Sequence, residues 1–375
     1  MISPVRDIGN GAGGRLRVDL GALAGNYARL RAEVAPGVGV GAAVKADAYG
    51  LGVARIAPVL HKAGCRSFFV ATLDEALALR ALLPPDATVF LLNGLFPGAA
   101  REVAEAGVIP VLNSLDQAKD WAREAAARGR ALPCAVQIDS GMSRFGMNEA
   151  DLVALAPECG AFDIRLVMSH LACADTPGHP QNAAQLAAFR RLRTMLPPAP
   201  ASLAASSGIF LGPDYHFDLV RPGYALYGGN PTPDAPNPMT PVVSLYLRLV
   251  QERRIAAGTS VGYGAHFVAA RPSRIGTVAA GYADGLLRAS GGRAVAVLPD
   301  RPGIVLPVIG RISMDCLALD LTDLGETDLP PGTVFEFIGP HLPLDDAAAR
   351  LDTIGYEVLT SLGHRYQRDY IESIA

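Results

Sequence analysis

Five stretches of this 375-residue chain place reactive groups directly after short apolar runs. They are Lys45-Ala-Asp-Ala-Tyr49-Gly50, Gln137-Ile-Asp139-Ser-Gly-Met-Ser-Arg144, Ser169-His170, Ser206-Ser207-Gly208 and Arg221-Pro-Gly223-Tyr224. Taken singly, each has an ordinary explanation: a solvated loop lysine, a histidine satisfying a carbonyl, a common helix start. Together they bring cations and hydroxyls to the ends of five separate runs. A lysine at such an end can have its amine pKa lowered by desolvation and by neighbouring cations, which makes it a Schiff-base nucleophile.

The elements that position these groups follow from hydrophobic spacing. Asp19 is placed to cap a helix over 19–35, in which Leu20, Leu23, Ala24 and Tyr27 share a face. Eight apolar runs follow: Val40–Val44, Ser67–Ala71, Thr88–Leu92, Val108–Leu112, Cys134–Ile138, Arg165–Ser169, Ser202–Ala205 and Phe217–Val220. They lack alternation, as strands buried on both faces do. Amphipathic segments separate them, among them Val53, Ile56, Ala57, Leu60 and Leu186, Phe189, Leu192, Met195. This order predicts an α/β architecture, an N-terminal (β/α)8 TIM-type barrel. The competing open doubly wound sheet would carry a GxGxxG fingerprint after its first strand, and none follows here.

The stretch 231–241, PTPDAPNPMTP, holds five prolines and reads as a stiff linker. Beyond it, alternating runs such as 243–250, 277–280, 294–298 and 334–338 predict a mostly antiparallel β domain. The expected organisation is a flexible lead-in over 1–16, a barrel over 17–235 and a β domain over 236–375.

Composition removes other classes. Half the residues are apolar and 18% are charged, which is enough for a sizeable core. Lys and Arg number 33 against 36 Asp and Glu, so the net charge of −3 lacks the basic excess of a nucleic-acid binder. No apolar run approaches a membrane span, and the first fifteen residues hold no secretory h-region. The five cysteines are scattered without CxxC spacing, arguing for reduced thiols and a cytoplasmic location.

In a barrel, chemistry gathers where strands end, and the turns after strands seven and eight commonly hold phosphate. An imine-forming amine beside a phosphate cradle points to pyridoxal phosphate. Metal hydrolysis would need several His and carboxylates at these ends, and only His170 is there.

The same residues resemble the alanine racemases. Ala43-Val-Lys45-Ala-Asp-Ala-Tyr49-Gly50 is similar to that family's cofactor-lysine motif. Asp139-Ser-Gly-Met-Ser-Arg144-Phe-Gly146, Ser169-His170 and Val220-Arg221-Pro-Gly-Tyr-Ala-Leu-Tyr-Gly228 follow in the family's order. So do Val261-Gly-Tyr263-Gly264, Gly281-Tyr282-Ala-Asp284-Gly285, Gly310-Arg-Ile-Ser-Met314-Asp315 and Tyr356-Glu357. The resemblance runs from about residue 17 onward. It implies an isomerase, a fold-type III pyridoxal 5'-phosphate enzyme acting on alanine as a head-to-tail homodimer with shared active sites. It also implies a supply of D-alanine for peptidoglycan.

By that resemblance Lys45 holds the cofactor and is one catalytic base, while Tyr263 of the other subunit serves the opposite face of the α-carbon. Racemisation removes a proton on one side and returns it on the other, so two groups must flank the carbon. A phenol is a poor base near neutrality without positive charge close by. Arg221 and His170 resemble the network that supplies it, and Arg221 also resembles the partner of the pyridine nitrogen. Tyr49, Ser207, Gly223, Tyr224 and Tyr356 match the phosphate-binding positions. Arg144 and the Met314 backbone match the substrate-carboxylate site, and Tyr282 with Tyr356 match the residues that narrow the entrance.

Four positions depart from the family pattern. Many members carry a carbamylated lysine two residues before the Asp of the DxGM motif; this chain has Gln137, expected to accept a hydrogen bond from Arg144. Ser206 stands for the usual Asn, Leu51 for a His, and Ser313 for a Cys. These departures bear on carboxylate geometry and leave a broader-specificity amino-acid racemase as an alternative. A fold-type III decarboxylase is a second alternative, disfavoured because those enzymes set a carboxylate where Arg221 stands. A non-catalytic cofactor carrier would give Tyr263 no purpose.

Overall fold

A computed structural model describes residues 11–372. It contains two compact units: Leu23–Leu226 with Asn230–Thr240, and a second made of the described residues before Leu23, Tyr227–Gly229 and the chain from Pro241 on.

The first unit is a closed barrel of eight parallel strands. Ala42–Ala43 pairs with Ser67–Val70, and Thr88–Leu91, Ile109–Leu112, Leu132–Gln137, Phe162–Met168 and Ala201–Ser202 follow in that order. Leu219–Val220 pairs in parallel with Gly39–Val40. The last gap closes where Ala205 bridges to Arg221 and the Arg221 amide donates to the Ala204 carbonyl at 2.9 Å. The strands are buried on both faces as their composition predicts, and Phe69 stacks on Phe90 at 4.8 Å inside the core. The first strand is interrupted at Gly41. A β-carbon there would lie 2.8 Å from both the Phe69 ring and the Ser67 carbonyl, so only glycine allows the neighbouring strand so near.

The intervening helices bury the expected faces, Ile56, Ala57 and Leu60 on Val53–Lys62 and Leu186, Phe189 and Leu192 on Pro180–Leu192. Asp19 caps the helix Leu20–Glu33, its carboxylate accepting the Ala22 amide at 2.9 Å.

The boundaries differ from those expected. Gly14–Asp19 is a strand, not a lead-in, and pairs with Val243–Ile255 and Gln367–Ile371 in the second unit. Residues 1–10 of the expected lead-in lie outside the described residues. The proline-rich segment Asn230–Thr240 belongs to the barrel unit. Buried Asn26 pins it by donating to the Leu226 and Thr240 carbonyls and accepting the Thr240 amide. The seam therefore falls at Pro241.

The second unit is an eight-stranded sheet, antiparallel except where Gly14–Asp19 meets Gln367–Ile371. Val243–Ile255 shifts register between Leu249 and Gln251. Its first half pairs with Gly14–Asp19 and Val334–Ile338, and its second with Ser273–Val278. The sheet thereby closes on itself. Among the described residues no helix is long and apolar enough to cross a membrane.

Candidate active site

Lys45 follows the first barrel strand and opens a turn of unusual hand. Ala46, Asp47, Ala48 and Tyr49 all have left-handed backbone, with φ between 53° and 57°. Left-handed turns cost L-residues roughly 1–2 kcal/mol each, so such a run persists only where its surroundings impose it. Here the Asp47 carboxylate accepts the Val53 amide at 2.7 Å and the Asp47 carbonyl accepts the Gly52 amide at 2.9 Å. The Glu75 carboxylate accepts the Ala46 amide at 2.6 Å. The turn sends Tyr49 inward, where it is buried, and leaves Lys45 at the open mouth. Desolvation, then the charge of Arg144, lowers the Lys45 amine pKa, and the Glu75 charge opposes them.

Arg221 ends the eighth strand and is buried. Its guanidinium donates to the Ser202 hydroxyl, to the Ser169 carbonyl at 2.6 Å and to the Leu203 carbonyl at 3.4 Å, and lies 3.5 Å from His170 Nδ1. No carboxylate is among these partners, and burial lowers its pKa to about 10. His170 is pushed down to about 3 by desolvation and by Arg221, Arg144 and Lys45. It is therefore a neutral imidazole at physiological pH. Of these two residues, Arg221 alone then carries a positive charge.

Strands seven and eight meet at Ser206, whose buried hydroxyl oxygen accepts the Gly223 amide at 3.0 Å and the Ala225 amide at 3.1 Å. The Gly223 amide, expected to face an anion, is thus already engaged. Ser206 retains its own O–H to donate. Gly223 also abuts Tyr49: a β-carbon at 223 would sit 2.3 Å from the Tyr49 hydroxyl. Ser207 is partly exposed beside it, and Tyr224 is buried.

The loop after strand five is folded by Asp139, which accepts the amides of Gly141, Met142 and Ser143 at 2.9, 3.0 and 3.1 Å. It holds Arg144 outward, exposed, with the guanidinium 5.8 Å from the Phe145 ring centre. Among the described residues no hydrogen bond joins Arg144 to Gln137. Gln137 instead lies buried in the strand, so the contact expected from sequence is not formed.

Sequence reasoning missed the residues that fasten these loops. Fully buried Gln185 donates to the His170 carbonyl at 2.9 Å and accepts the Ala172 amide at 2.8 Å. The Ser140 and Ser169 hydroxyls join at 2.7 Å. Gln185 was legible only as a polar residue next to the apolar stripe of its helix.

The other expected residues lie in the second unit. Tyr263 heads a short turn flanked by Gly262 and Gly264 at positive φ, and is 70% exposed. The Tyr282 amide donates to the Ser313 carbonyl and the Ala283 amide to the Met314 carbonyl, both at 3.0 Å. Among the described residues the Met314 amide finds no acceptor. Tyr356 is in the first turn of Gly355–Ser361. A β-carbon at Gly285 would lie 1.8 Å from the Ser361 carbonyl, so that helix is seated against the turn following Tyr282.

A closed parallel barrel with a lysine and a buried arginine at its strand ends, joined to a β domain, defines a barrel enzyme built for imine chemistry beside a small anion. The family descriptions "Alanine racemase, N-terminal domain" and "Alanine racemase, C-terminal domain" match residues 18–231 and 242–370. The chain belongs to the alanine racemase family. It is 50% identical over 363 residues to a protein of Mesorhizobium japonicum named "Alanine racemase, catabolic", covering 96% of this chain and 94% of that one. An alanine racemase of Rhodospirillum rubrum is 49% identical, with 95% of each covered. The solved structure of alanine racemase from Bartonella henselae with covalently bound pyridoxal phosphate has a TM-score of 0.92 at 42% identity, covering 96% of this chain and all of that one.

Proposed function

We propose that this protein interconverts L- and D-alanine with pyridoxal 5'-phosphate, using Lys45 and Tyr263 as the two bases. The observation that carries the reading is the left-handed turn that brings Lys45, with its lowered amine pKa, to the mouth ringed by Arg221, Arg144 and His170.

The rim fits the cofactor. Because Gly223 has no β-carbon, the Tyr49 hydroxyl reaches from the first strand to the turn after the eighth. Tyr49, Ser207, Tyr224 and Tyr356 would hold the phosphate, with the Ser206 hydroxyl standing in for the Gly223 amide that it engages. When bound, pyridoxal phosphate withdraws electrons from the substrate α-carbon and acidifies its proton. Lys45 takes or returns that proton at Nζ on one face, and Tyr263 at its phenolic oxygen on the other. Arg221 would face the pyridine nitrogen with a guanidinium that keeps its own proton, and so would donate a hydrogen bond there without protonating the ring. Arg144 and the Met314 amide receive the substrate carboxylate, and Tyr282 with Tyr356 narrow the entrance to suit a small side chain.

A homodimer with shared sites is part of this proposal. Tyr263, Val268, Met314 and Ile354 are large apolar or aromatic side chains left more than half exposed, as residues that meet a second copy would be. We assign the enzyme to the cytoplasm and to D-alanine supply for peptidoglycan. Growth of a deletion strain without added D-alanine would overturn that role in favour of a catabolic one.

The reaction is tested by incubating the enzyme with L-alanine in D₂O. Loss of optical activity with deuterium at the α-carbon is the expected result; release of CO₂ would overturn it in favour of decarboxylation.

A further inference from the structure

Glu75 lies in neither the phosphate nor the carboxylate set, yet its carboxylate joins two barrel strands beside Lys45. It occupies the third position of the helix Leu73–Arg80 and forms a capping box with Thr72. Oε2 accepts the Ala71 amide at 2.7 Å and the Thr72 amide at 3.3 Å, both at the end of the second strand. Oε1 leaves the helix and accepts the Ala46 amide at 2.6 Å. Helix capping explains Oε2. It gives no reason for Oε1 to reach a residue 29 positions earlier in the chain.

Ala46 is the first left-handed residue of the turn, directly after Lys45. The direction of the lysine side chain depends on whether that turn keeps its hand. A charge-assisted bond of this length is among the strongest available to an amide. The other anchors act further along, at Asp47 with Gly52 and Val53 and at Ala48 with Val44.

We propose that Glu75 is a positioning residue for Lys45, its carboxylate clamping the Ala46 amide to the end of the second strand and so holding the turn that aims the amine. The proposal rests on the reading of Lys45 as the cofactor lysine. Glu75 also keeps a negative charge near the amine, opposing the lowering of its pKa. A glutamine can accept on one side only and turns its NH₂ toward the remaining amides, so it cannot replace the bridge.

The test compares Glu75→Ala, Glu75→Gln and Thr72→Ala in the full chain. Thr72→Ala removes the reciprocal half of the capping box and leaves the bridge to Ala46. Two readouts are used: hydrogen exchange of the 46–49 amides without cofactor, and the pH-dependent rate of pyridoxal phosphate capture, located by borohydride reduction and peptide mapping. Both Glu75 variants should lose protection at 46–49. Glu75→Ala should capture cofactor at least tenfold more slowly near neutral pH, and Glu75→Gln should move the pH midpoint of capture downward. Thr72→Ala should melt earlier yet keep wild-type protection and a capture rate within about twofold. Unchanged exchange in the Glu75 variants, or equal losses in Thr72→Ala, would reduce Glu75 to a helix cap and overturn the proposal. Wild-type capture at a residue other than Lys45 would instead overturn the reading of Lys45, while the exchange data still decide whether the clamp exists.

Discussion

Gly223 and Tyr49 share one volume: the tyrosine hydroxyl lies where a β-carbon of residue 223 would be, 2.3 Å away. Because Tyr49 follows the first strand and Gly223 the eighth, this contact sits on the line along which the barrel closes. Gly223→Ala is expected to weaken pyridoxal phosphate binding at least tenfold by displacing the tyrosine. Adding Tyr49→Phe should cost less than the sum of the two single changes, because the hydroxyl that clashes is gone. Titration of cofactor absorbance across the four proteins measures the coupling, and strict additivity would contradict it.

His170 makes stability depend on pH. Its folded pKa of about 3 lies below the ordinary histidine value, so the unfolded chain takes up a proton first as pH falls. Stability from this group is intact above about pH 6.5 and declines below it, by about 2 kcal/mol at pH 5. Urea unfolding at pH 7 and pH 5 should show a smaller loss in His170→Asn than in wild type. An equal loss in both would place the titration elsewhere.

Gln137 cannot form a carbamate, and Arg144 does not lean on it. Activity should therefore be indifferent to bicarbonate added to CO₂-depleted buffer. A rise of twofold or more would mean that a carbamate forms at some other lysine.

The proposed sharing of active sites makes a sharp arithmetic. Lys45→Ala and Tyr263→Phe are each expected to be strongly impaired as homodimers. Unfolded together and refolded at equal amounts, about half the dimers should be mixed. One of the two sites in each mixed dimer would then be intact, restoring about a quarter of wild-type activity. Absence of recovery would place both bases in one chain.

The strand ends were legible because buried parallel strands have a simple signature, so a polar residue after each apolar run marks the mouth of the barrel. Lys45, His170 and Arg221 were found in this way. The geometry between loops was less legible. Gln185 and Glu75 act through amides distant in sequence, and nothing in their own spacing reveals those partners. The charge state of His170 was hidden for a related reason, since it depends on burial in the fold and on three cations brought from other loops. The strand Gly14–Asp19 was missed because its partners are over two hundred residues away. Gly208 lies in the turn after strand seven, where barrels commonly bind phosphate. A β-carbon there would instead meet Ala204 and Leu171, so its smallness serves packing.

The pairing of Gly14–Asp19 with both Val243–Ile255 and Gln367–Ile371 bears on how the chain is made. The last barrel strand ends at Val220, and the barrel unit is complete at Thr240. Gly14–Asp19 is synthesised before the other described strands but has no partner until Val243–Ile255 emerges, roughly 11–47 s later at ordinary elongation rates, and its other edge waits for Gln367–Ile371. For that interval the earliest strand is an unpaired edge, open to chaperones or to a neighbouring nascent chain. Arg15 and Arg17, charged residues on that strand, are the kind that discourage such pairing while it waits.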